Sequence, residues 1–128
     1  MKPEVAAAIE ELRRKFPDSA VTATEDNDGG AHVFLEGVDL GARYTPRQTW
    51  LGAHIPALYP YADIYPVFMG CEVRRADGTE LQAPVTLGHN FAGRPAIQIS
   101  RRNHLAQQHP QPAYSKFLKV LDYLEKLP

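Results

Sequence analysis

A single cysteine, Cys71, in 128 residues excludes an intramolecular disulfide and any zinc site built from several thiolates. That usage suits a reducing compartment, and a cytoplasmic location is expected. An excess of charge of either sign is also lacking: 14 Lys and Arg stand against 15 Asp and Glu, a formal net charge of −1. No global basic field draws such a chain to nucleic acid or to an anionic membrane, so partners are recognised by local surfaces. No run of about 18 apolar residues exists to span a bilayer. The start Met1-Lys2-Pro3-Glu4-Val5 includes an acid and no long apolar core, so no secretory signal is expected. The five histidines, His32, His54, His89, His104 and His109, form no i, i+4 or HExxH pattern, and neither a metal nor a cofactor is expected. Internal repeats and low-complexity tracts are absent.

What is present suits one α+β domain over residues 1–128, since 44% hydrophobic and 23% charged residues allow a sizeable core without covalent staples. In residues 3–16, Val5, Ile9, Leu12 and Phe16 recur at spacings of four, three and four, the stripe of an amphipathic helix. Glu10, Glu11, Arg13, Arg14 and Lys15 fill its wet face. Strands are predicted over residues 20–24 and 31–36, joined by the turn signal Asp26-Asn27-Asp28-Gly29-Gly30, with a third strand over residues 48–55. Residues 56–66 are studded with proline, which lacks a ladder donor, and predict an ordered extended flap. A fourth strand is predicted over residues 65–74, with Cys71 inert at its middle. Residues 81–102 show no helical period and predict only short extended pieces, while Tyr114, Phe117, Val120, Leu121 and Leu124 mark a closing helix over residues 111–127.

The densest set of signals lies between Trp50 and Ile99. Trp50-Leu51-Gly52-Ala53-His54-Ile55-Pro56 runs into Tyr59-Pro60 and Tyr65-Pro66, then Val67-Phe68, then His89-Asn90 and Gly93-Arg94-Pro95-Ala96-Ile97-Gln98-Ile99. That order of parts resembles the centre of the ubiquitin-conjugating (E2) superfamily, where a Tyr-Pro flap precedes the fourth strand and a His-Pro-Asn signature precedes a glycine three residues before the nucleophilic cysteine. The resemblance implies a UBC-like fold: N-terminal helix, four-stranded antiparallel meander, proline-rich flap, active-site loop and C-terminal helix. The short C-terminal part looks more like the compact bacterial E2-like families of ubiquitin-like conjugation systems linked to phage defence. Implied partners are an E1-like activating enzyme, a ubiquitin-like modifier and a protein substrate, with the basic face of the first helix a candidate contact for the activating enzyme. The chain departs from the family twice: no proline separates His89 from Asn90, and the nucleophile position holds Ala96.

A conjugating enzyme takes the modifier as a thioester, which demands an activated sulfur on a partly exposed loop. Ala96 supplies none. One reading is a plain α+β domain that merely shares the Tyr-Pro flap, to be preferred if residue 96 is buried in a regular strand, remote from His89 and from any groove. Two conjugation-type readings also stay open: alanine replaces a cysteine in a disarmed transferase, or alanine is native to a non-catalytic variant that binds or scaffolds. In either, Asn90 is the candidate to stabilise an oxyanion or to bond its own loop backbone, and His89 is expected to order the loop by imidazole hydrogen bonds. Ser100, Arg101 and Arg102 form a solvated basic pair or an anion-binding or docking patch. Tyr59, Tyr61 and Tyr65, with Trp50, are expected to pack flap on sheet rather than to stack nucleic-acid bases.

Overall fold

The computed structural model describes residues 1–128. Helix α1 (Pro3–Lys15) starts on a proline, whose missing N–H and preset φ suit the first helical position. It ends on Arg13, Arg14 and Lys15, at the negative pole of its dipole. Val5, Ala8, Ile9 and Leu12 form its buried stripe. Phe16 leaves helical geometry as the C-cap and meets Phe117 edge-on at 6.4 Å.

Eight strands follow: β1 (Val21–Glu25), β2 (Ala31–Asp39), β3 (Tyr44–Thr45), β4 (Gln48–Ile55), β5 (Val67–Gly70), β6 (Arg74–Arg75), β7 (Val85–Phe91) and β8 (Arg94–Ile99). Helix α2 (Ala113–Glu125) closes the chain. Six strands make one antiparallel sheet in the order β1-β2-β4-β5-β8-β7, and β3 pairs with β6 in a separate ribbon. Alternation along the strands sends Val33, Leu35, Leu51, Ala53, Ile55, Val67, Met69, Ile97 and Ile99 to one face. There they join the buried stripe of α1 and Ala113, Phe117, Val120 and Leu124 of α2 in a single core.

Three expectations need correcting. The meander has grown to six strands, because residues 81–102 are not a chain of short extended pieces. They form the β7–β8 hairpin, closed by Ala92 and Gly93, both at positive φ (48° and 88°), as a two-residue hairpin turn requires. A register shift between Thr86 and His89 breaks the alternation of β7, which is why its period is invisible in the sequence. The strand expected over residues 65–74 splits after Gly70. Thr49 Oγ1 accepts the Gly70 N–H at 3.2 Å and donates to Glu72 Oε1 at 3.1 Å, so the chain turns away from the sheet here. Cys71 therefore lies exposed in a turn and not inside a strand.

The proline-rich flap carries no strand and lies on the helix-covered side of the sheet, against α2. Tyr59 Oη accepts the Ala113 N–H at 2.9 Å, and Asp63 pairs with Lys116 at 2.9 Å.

Candidate functional site on the outer sheet face

Ala96 sits within β8, opposite Gly70 of β5 and His89 of β7. It is 1% exposed and packs with Phe68 and Phe91. The residue expected on an active-site loop is thus sealed into the middle of a sheet. His89 is its cross-strand neighbour, but its ring is engaged locally, with Nε2 2.8 Å from Thr86 Oγ1 across the bulge. Asn90 Oδ1 accepts the Gly93 N–H at 3.1 Å and so buttresses the hairpin turn. Asn90 pairs with Pro95, and strand alternation turns both toward the face opposite Ala96. The sheet brings His89 and Ala96 together and leaves Asn90 on the other side.

Around Ala96 the outer face carries an aromatic cluster that no helix covers. Phe68 and Phe91 stack at 4.8 Å with 14° between their planes, and Phe34 lies 5.2 Å from both Phe91 and Trp50. Small residues beneath them, Gly52 and Ala96, let the rings lie down on the sheet. Arg94 caps the cluster, with its guanidinium 3.9 Å over Phe34 and 5.3 Å from the Trp50 ring centre. It donates to both carboxylate oxygens of Glu36, at 3.0 and 2.7 Å, and this pairing raises the guanidinium pKa further. Trp50 is therefore not part of a group with the flap tyrosines, as the sequence suggested: it packs on the outer face, whereas Tyr59 reaches α2 and Tyr65 lies beneath Arg102.

At the far end of this face, His54 Nε2 lies 2.6 Å from Asp26 Oδ2, and the His54 ring stands 4.9 Å from His32. The His54 hydrogen bond, helped by backbone N–H groups of Asp28 and Gly30 and opposed by partial desolvation, holds the Asp26 carboxyl down to about 2. Sequence reasoning missed this pair because its members are 28 residues apart and meet only through the β2–β4 pairing. The signal that pointed toward it was Asp26 at the head of the turn.

Elsewhere, Cys71 opens on a groove of about 370 Å³ lined also by Arg74, Arg75, Thr79 and Leu87. Of the basic residues on α1, Arg13 pairs with Glu10 and Lys15 lies 4.8 Å from the Tyr114 ring centre. No group of three or more His, Cys, Asp or Glu side chains is arranged to hold a metal ion.

Fold and site together define an α+β protein with an N-terminal helix, an antiparallel sheet whose helix-free face carries a self-packed aromatic cluster, and a C-terminal helix, none of its helices long and apolar enough to cross a membrane. No protein-family model, curated protein or solved structure matches the chain.

Proposed function

We propose that this chain is a non-catalytic binding module on a frame of the ubiquitin-conjugating type, one that engages a ubiquitin-like modifier or its E1-like activating enzyme without forming a thioester. The observation that supports binding over transfer is the burial of residue 96. A sulfur there would lie under Phe68 and Phe91 within a paired strand, out of reach of an incoming carbonyl. Asn90, tied into the hairpin turn, is held away from that position. On the outer face the half-buried Phe34 and Trp50, beside the Arg94–Glu36 pair, offer partly exposed aromatic surface and fixed charge of the kind on which protein interfaces rely.

The test combines chemistry with binding. In a Cys71→Ser background, Ala96→Cys is expected to react with a thiol reagent on the order of 100-fold more slowly in native buffer than after unfolding. Incubated with ATP, the E1-like enzyme and the ubiquitin-like modifier of the same genome, neither the parent chain nor Ala96→Cys should yield a reducible adduct. Calorimetry should show reversible binding of one of those two proteins. A reducible adduct on Ala96→Cys would make the chain a disarmed transferase, and absence of binding to both proteins would remove it from conjugation altogether.

A further inference from the structure

The opposite side of the molecule is charged where the sheet face is aromatic. Residues 101–103, Gln111 and α2 enclose an open cleft of about 380 Å³. Five of the chain's 14 Lys and Arg line it, namely Arg101, Arg102, Lys116, Lys119 and Lys126, against the single carboxylate of Asp122. Since the whole chain is at −1, the remaining surface is net acidic. Two of the five are neutralised in place: Lys116 by Asp63 at 2.9 Å and Lys126 by Asp122 at 3.0 Å. The other three have no carboxylate partner.

Arg101 lies 4.5 Å over the Tyr123 ring and Arg102 3.9 Å over the Tyr65 ring, and neither guanidinium donates a hydrogen bond within the protein. Stacking of this kind holds a guanidinium by its face and leaves its in-plane fork of N–H donors open. Lys119 donates only to the neutral amide oxygen of Gln111. Three cations are thus positioned around one cleft with unused donors. Only Val120 and Tyr123 among the lining residues are hydrophobic, which rules against an apolar ligand.

We propose that this cleft binds the phosphate group of a compact phosphorylated ligand. A phosphate concentrates nearly two negative charges and three acceptor oxygens in one small group, whereas a carboxylate brings a single charge. The volume falls in the range of about 300–1,000 Å³ of small-molecule sites. A long polyanion is disfavoured, because the net acidic remainder of the surface would repel whatever extended past the cleft. The phosphate comes either from a free small molecule or from a phosphorylated side chain presented by a peptide.

Calorimetry on the full chain with inorganic pyrophosphate and with a phosphoserine peptide tests this, and the tighter of the two identifies the source. At least one should bind saturably in low salt and weaken several-fold as NaCl rises from about 50 to about 300 mM. The double variant Arg101→Gln/Arg102→Gln should lose about tenfold or more in affinity and Lys119→Gln a few-fold, with melting temperatures lowered by no more than a few degrees because the two arginines give up only their stacking on half-buried tyrosines. Arg94→Gln, on the other face, should bind like the parent. Absence of saturable binding by both probes, unchanged affinity in the double variant, or equal affinity for sulfate or an unphosphorylated Glu-rich peptide would overturn the proposal. So would tighter binding of a single-stranded oligonucleotide.

Discussion

A Cβ placed on Gly52 would come within 2.8 Å of Phe91 Cε2 and 3.0 Å of Trp50 Cζ3. The glycine is there so that the Phe91 ring can lie against the sheet, and its φ imposes no such requirement. Gly52→Ala is expected to cost about 1–3 kcal/mol by overpacking, read as a lower urea midpoint with an unchanged slope. Asp26 acts through its charge. Its folded pKa of about 2 lies below the ordinary carboxylate value, so the unfolded chain binds more protons between the two. The stabilisation is full above the unfolded carboxylate pKa and is lost as pH falls through about 2. Asp26→Asn should therefore flatten the decline in urea midpoint between about pH 5 and pH 2; parallel curves would mean that the fold does not hold the Asp26 carboxyl below its ordinary value. The turn around Asp26 was legible in the sequence, since its Gly and Asn residues state their backbone needs locally. His54 was not, because nothing local links it to residue 26.

At the scale of elements, α2 depends on the rest of the fold for its caps. Pro112 and Lys126 flank it without side-chain caps. Tyr59 of the flap accepts the Ala113 N–H at its start, and Tyr44 of β3 donates to the Leu124 carbonyl at 2.6 Å near its end. Arg43 and Arg75 donate to the Leu127 carbonyl just beyond. Tyr59→Phe and Tyr44→Phe should each destabilise by about 1 kcal/mol in urea unfolding, through a peptide group left unsatisfied, and their effects should add because they act at opposite ends. The heptad-like spacing announced this helix, while the means of ending it came from residues about 54 and 80 positions away. The β7–β8 hairpin was illegible for a different reason: the bulge at Leu87 and Gly88 interrupts the alternation on which strand recognition rests.

Over the whole molecule, the sheet order places β2, β4, β5 and β8 between neighbours on both sides and leaves β1 and β7 as edges. Hydrogen exchange should accordingly be slowest in the four interior strands, approaching the global unfolding rate, and fast across residues 56–66 and 101–111, which lie outside the sheet. Protection of residues 101–111 equal to that of β4 would show them to be a fixed wall instead of a separately opening segment. The same order divides the surface, with two helices and a basic cleft on one side and a helix-free face packed with aromatic rings on the other.

By itself the sequence determined both helices, the first three main strands and the turn between the first two, because each is written in spacings shorter than about ten residues: periods of 3.6 and 2, and glycines where φ must be positive. It also dictated that residue 96 carries no nucleophile. Tertiary structure alone decided that this residue is buried in a strand, that Trp50 joins Phe34 and Arg94 and not the tyrosines, and that Arg101, Arg102 and Lys119 converge. Each of those outcomes depends on which distant strands pair and in what register, a choice made by the burial of whole faces and not by any local run of residues.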